Sequence, residues 1–125
     1  MKNYFKGFTL IELLAVMVII ALLLTIAAPK YFGSIDRSNE AILHQDLATM
    51  REALDKYYGD TGQYPDQLED LVTKKYLRSI PRDPITETNT SWIVIAPTND
   101  AKGSVYDIKS GAAGNGSDGT AYSDW

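Results

Sequence analysis

The twenty-one residues from Phe8 to Ala28, FTLIELLAVMVIIALLLTIAA, contain a single charged side chain, Glu12. As a helix this stretch would be about 32 Å long, enough to cross the hydrocarbon core of a bilayer. It reads as a membrane span. An ionised carboxylate inside such a span costs roughly 2.5 kcal/mol or more unless something neutralises or pairs it. Glu12 therefore needs a reason to be there.

Upstream lie only MKNYFKG, with Lys2 and Lys6 as the charges. By the positive-inside bias the N-terminus stays in the cytoplasm and everything after Lys30 is exported. A cut between Gly7 and Phe8 would create an α-ammonium at Phe8, with Glu12 as the fifth residue of the new chain. Amine and carboxylate would then lie about one helical turn apart. The carboxylate of one subunit could reach the ammonium of a neighbour shifted along the axis by about a turn, which would set a stagger between subunits.

The string K-G-F-T-L-I-E ahead of an apolar run resembles the class III signal and N-terminal helix of type IV pilins and of their secretion-system relatives, the pseudopilins. The resemblance implies that a prepilin peptidase cleaves after Gly7 and methylates the new N-terminal Phe8. It also implies that Glu12 is the assembly carboxylate needed for entry into a filament. Three plainer readings compete. A secretory signal would be cleaved near Ala27 and Ala28, but such signals rarely hold an acid in their core. A simple single-pass anchor leaves both Glu12 and the Gly-Phe junction unexplained. A buried soluble helix would need more protein around it than 125 residues supply.

Beyond the span there is room for one small domain. From Lys30 onward ten Lys and Arg stand against fifteen Asp and Glu, a net charge of −5, which argues against nucleic acid as a partner. Cysteine is absent, so no disulfide supports a domain expected to face an oxidising compartment.

After the span, Pro29 and Gly33 predict a bend or a melted turn. From Ser34 to Tyr58 the pattern turns amphipathic. Leu43, Leu47, Met50, Leu54 and Tyr57 alternate spacings of four and three, so the helix continues into the exported domain with one apolar stripe. Glu40, Arg51, Glu52, Asp55 and Lys56 are expected largely off it. Gly59 to Gly62 supply helix-stop chemistry. Tyr64 and Pro65 lead to Asp66, an expected N-cap with Glu69 three residues on, opening a short helix through Leu68, Leu71 and Val72. Tyr76, Leu77 and Ile80 are expected in the core, followed by backbone held extended by Pro81 and Pro84.

These later motifs narrow the resemblance. A Tyr-Pro turn after the long helix, a short Leu-rich helix and the segment Tyr-Leu…Ile-Pro-x-Asp-Pro are similar to the major, G-type pseudopilins of type II secretion systems. The matching positions are Tyr64, Pro65, Leu68, Leu71, Tyr76, Leu77, Ile80, Pro81, Asp83 and Pro84. Trp125 ends the chain, as in many of those subunits.

Ser91–Ile95 and Ser104–Ile108 read as an antiparallel hairpin across the turn formers APTNDAKG, with a third short strand expected before Trp92 or near Tyr122. The remaining SGAAGNGSDGTAYSDW is loop by composition. Its oxygen donors could surround a hard cation, and the resemblance implies calcium. The candidate ligands are Asp118, Asp124 and the Ser110 carbonyl. Ala112 and Ala113 stand where an acid would usually lie, and the alternative is a flexible tail with two solvated aspartates. His44, the lone histidine, sits on the long helix without a catalytic partner in sequence, and no phosphate loop or zinc spacing is present.

The expected fold is α+β. A long N-terminal helix, half membrane-spanning and half amphipathic, packs on a short helix and a small antiparallel sheet, with a glycine-rich C-terminal loop. The expected divisions are a cleaved cytoplasmic leader at 1–7, a transmembrane polymerisation helix at 8–28 and a periplasmic domain at 29–125 that includes the amphipathic helix 34–58. The resemblance implies a non-enzymatic subunit of a helical homo-oligomer, the periplasmic pseudopilus. It would be assembled from the inner membrane with prepilin peptidase, other pseudopilins and an inner-membrane assembly platform as partners, and would help export folded proteins. The alternatives are a type IV pilin forming a surface fibre for adhesion, motility or DNA uptake, and a membrane-tethered binding module that never polymerises.

Overall fold

The computed structural model describes residues 7–125, so residues 1–6 of the expected leader lie outside the described residues. Helix α1, Leu10–Thr61, is followed by the four-residue α2, Asp70–Thr73. The strands β1, Ile93–Ile95, and β2, Asp107–Lys109, come next, and a single 3-10 turn, Tyr122–Asp124, ends the chain. The expected α+β class is the one observed. The chain divides into two units, one ending at Ile35 and the other running from Asp36 to Trp125.

In the first unit the helix is apolar on every side. Leu10, Ile11, Leu14, Val18, Leu22 and Ile26 are each more than half exposed, the surface expected of a segment whose surroundings are lipid or other helices. By length and composition this is a helix able to cross a membrane. Pro29 and Gly33 lie inside α1, so the expected melted turn does not form. Proline removes one donor, and the helical turns on both sides carry the ladder past the gap.

The second unit is built on the apolar stripe. Leu43, Leu47, Met50, Ala53, Leu54 and Tyr57 are buried against Leu68, Leu71, Leu77, Trp92, Val105 and Ile108. Each fully buried aliphatic side chain contributes roughly 1.5–3 kcal/mol, so this seam is the main support of a domain without disulfides. One expectation is corrected here. Glu40 is buried and continues the stripe one turn below Leu43, because the spacing 40, 43, 47 keeps the same face inward. Its carboxylate finds donors in the C-terminal loop.

Helix α1 stops at Thr61. Gly62 takes a φ of 75° and returns its N–H to the Tyr58 carbonyl at 2.8 Å, the left-handed stop that glycine makes at low cost. Asp66 is not the N-cap expected from its spacing to Glu69. Instead the Asp70 carboxylate accepts the backbone N–H groups of Asp66 and Gln67, both at 3.2 Å. The preceding residues close as i→i+3 turns, Asp70 N–H to Gln67 and Leu71 N–H to Leu68. Only one helical turn remains beyond them.

The hairpin is antiparallel, with Ile93 opposite Lys109, Val94 opposite Ile108 and Ile95 opposite Asp107. Its second strand starts later than the residue pattern predicts. Ser104 and Val105 give their N–H groups to the Pro65 carbonyl, both at 3.0 Å, rather than to β1. Tyr64 in turn donates to the Lys102 carbonyl at 2.9 Å, so the Tyr-Pro segment docks along the hairpin. Among the described residues the expected third strand is replaced by two isolated bridges, Asp83 with Thr88 and Asn115 with Ala121.

Candidate functional site

At the head of α1, residues 7–9 are non-helical, and Phe8 is 84% exposed. The Gly7–Phe8 junction is therefore exposed, non-helical chain directly ahead of the helix. The first turn closes on itself. Thr9 donates its backbone N–H to Glu12 Oε2 at 3.1 Å, and Glu12 donates its own N–H to Thr9 Oγ1 at 3.2 Å. This reciprocal pair is a capping box, which satisfies two of the N–H groups that a helix start leaves unpaired. It also puts the acid at the positive end of the helix dipole. Glu12 is exposed, at the side of the helix start and one turn from Phe8. Sequence reasoning missed Thr9 as its partner, although a threonine three residues ahead of a glutamate before an apolar run is the signal for such a box.

The loop after β2 closes as a folded-back turn. Gly116 donates to the Thr120 carbonyl at 2.8 Å, and Tyr122 donates to the Gly114 carbonyl at 3.2 Å. Arg51, half-buried on α1, holds the base of this loop. Its Nε lies 2.8 Å from Asp107 Oδ1, while its Nη2 donates to the carbonyls of Ile108 at 3.0 Å and Trp125 at 2.6 Å. His44 is stacked on Trp125 with ring centroids 4.0 Å apart and planes at 8°. It is a packing residue.

The three candidate cation ligands fall in different surroundings. Ser110 is fully buried, and its hydroxyl donates to Asp83 Oδ2 at 2.5 Å while accepting the Ala112 N–H at 3.1 Å. Asp118 is exposed, and its Oδ1 accepts both the N–H and the hydroxyl of Thr120, at 3.0 and 2.6 Å. Those two hydrogen bonds hold its carboxyl below the usual carboxylate range. Asp124 lies in the terminal 3-10 turn. Among the described residues no three His, Cys, Asp or Glu side chains converge as a metal site.

An apolar helix headed by an acid-bearing capping box, with a small α+β domain after it, defines a pilin-like subunit. Residues 2–28 match the prokaryotic N-terminal methylation motif. The chain is 30% identical over 95 residues to the type II secretion system core protein G of Klebsiella michiganensis, covering 63% of this chain and 67% of that protein. The protein of that name from Klebsiella pneumoniae is 30% identical over 95 residues, covering 63% of this chain and 68% of its own. The one from Pectobacterium carotovorum is 27% identical over 119 residues, covering 82% and 74% respectively. No solved structure matches the chain. The chain belongs to the family of the type II secretion system core protein G, the major pseudopilin.

Proposed function

We propose that this pseudopilin is a structural, non-enzymatic subunit of a helical pseudopilus. It is cleaved between Gly7 and Phe8 by a prepilin peptidase, methylated at Phe8 and held in the inner membrane by the apolar half of α1 until it polymerises. The exported domain faces the periplasm. Assembly carries the apolar helices out of lipid into a bundle, where each buries surface that lipid had covered. Glu12 of an incoming subunit pairs with the Phe8 ammonium of a subunit already placed, and the stagger between copies follows. The partners implied are further copies of this chain, other pseudopilins and an inner-membrane assembly platform, and the filament helps move folded proteins outward.

The observation that carries this reading is the carboxylate of Glu12 at the start of the otherwise uncharged, exposed apolar half of α1, one turn from the Gly7–Phe8 junction. In a plain membrane anchor that charge would do no more than cap the helix start, a task an uncharged glutamine does as well. The test is Glu12→Ala in cells. The variant should still be made, inserted and cleaved, yet form no filament, whereas filaments of normal length and number would overturn the reading.

A further inference from the structure

Glu40 and the C-terminal loop meet across 77 positions of sequence. Glu40 Oε1 accepts the Ser117 backbone N–H at 2.7 Å, and Oε2 accepts the Ser117 hydroxyl at 2.6 Å. Both carboxylate oxygens thus meet Ser117, the Tyr122 phenol interacts with the same carboxylate, and Glu40 is 8% exposed. One helical turn further along, His44 stacks on Trp125. The Trp125 indole N–H donates to Thr120 Oγ1 at 2.6 Å, and Thr120 turns its hydroxyl hydrogen to Asp118. Gly116 lies under the same indole, so close that a Cβ there would stand 2.3 Å from the ring.

A loop this rich in glycine loses much conformational freedom on ordering and needs a strong tie. A cation drawing carboxylates and carbonyls together would be one tie. The side chains that would form it do not converge: among the described residues no three acidic side chains meet, Asp118 Oδ1 is turned onto Thr120, and Ala112 and Ala113 carry no side-chain donor. Charge-assisted hydrogen bonds accepted by a buried carboxylate are another tie, about twice as strong as neutral ones. We infer that in this pseudopilin Glu40 closes the C-terminal loop through Ser117, with the His44–Trp125 stack beside it, and that the loop folds without calcium.

The inference stands apart from the filament reading and is tested without filaments. The full-length chain in detergent micelles is melted with excess calcium chloride and with a chelator. The Tm should be the same in both. Ser117→Ala, which removes one bond of the pair and leaves the helix intact, should lower the Tm by roughly 4–10 °C. Glu40→Gln should lower it too, and the two changes together should cost less than their sum. A wild-type Tm that rises with calcium would overturn the inference, as would Ser117→Ala and Glu40→Gln chains that both melt like the parent.

Discussion

Thr9 and Glu12 exchange two hydrogen bonds across the first turn of α1, each giving its backbone N–H to the other's side chain. A charge that looks misplaced in an apolar span is therefore already partnered within its own subunit, by groups a helix start must satisfy in any case. On the proposed assembly route the carboxylate exchanges these donors for a neighbour's ammonium. The cost of holding the acid at the membrane before assembly is lowered by the same contacts.

Thr9→Ala removes the hydroxyl half of the box, a loss worth about 1 kcal/mol of helix-end stability. In micelles the amides of Glu12 and Leu13 should exchange with solvent several-fold faster, and Thr9→Ser should restore the slow rates. Unchanged exchange in Thr9→Ala would show that the box does not hold the first turn.

Arg51 makes three contacts that a planar fork can reach together: the Asp107 carboxylate and the carbonyls of Ile108 and Trp125. An ammonium on a flexible stem cannot span them. Arg51→Lys should therefore lower the chemical-denaturation stability by about 2 kcal/mol, nearly as much as Arg51→Ala. Full rescue by lysine would reduce the contact to one of charge alone.

Gly103 sits at a φ of 102°, and a Cβ there would stand 2.0 Å from the Tyr64 carbonyl oxygen. The Tyr-Pro segment docks only because this position has no side chain. Gly103→Ala should destabilise by more than 2 kcal/mol or prevent folding. Gly59 is the internal control, since it is helical with open space where its Cβ would go. Gly59→Ala should stabilise by roughly 0.5–1 kcal/mol.

Burial, with Asp83 nearby, pushes the Asp46 carboxyl above its ordinary value. Between the ordinary value and the raised one the folded chain holds a proton that the unfolded chain has lost. Stability therefore falls as pH rises through that window and stays lower above it. Asp46→Asn should melt higher than the parent at neutral pH, and the gain should vanish below the ordinary carboxylate range. A variant whose advantage is independent of pH would contradict this cause.

The long helix, its stripe and the core position of Leu77 were legible because period and composition report burial along one element. Glu40 was not, since charge alone placed it outside while its register placed it inside; only the donors on Ser117, far away in sequence, make that burial affordable. The later start of β2 was hidden for a related reason. Ser104 and Val105 have strand-like side chains, but the Pro65 carbonyl competes for their backbone, and such tertiary competition leaves no local mark. At the N-terminus, by contrast, the junction, the acid and its spacing all lie within six residues, from Gly7 to Glu12, so a site can be proposed there from local sequence alone.

The central claim is that the chain is processed at Gly7–Phe8 so that Glu12 faces a new amine on its neighbour. The intact mass of the protein extracted from its native membrane tests this most directly. The account predicts a chain that begins at Phe8 and is one methyl group heavier than its sequence. A mass that includes the first seven residues, or a chain that begins beyond Ala28, would contradict it.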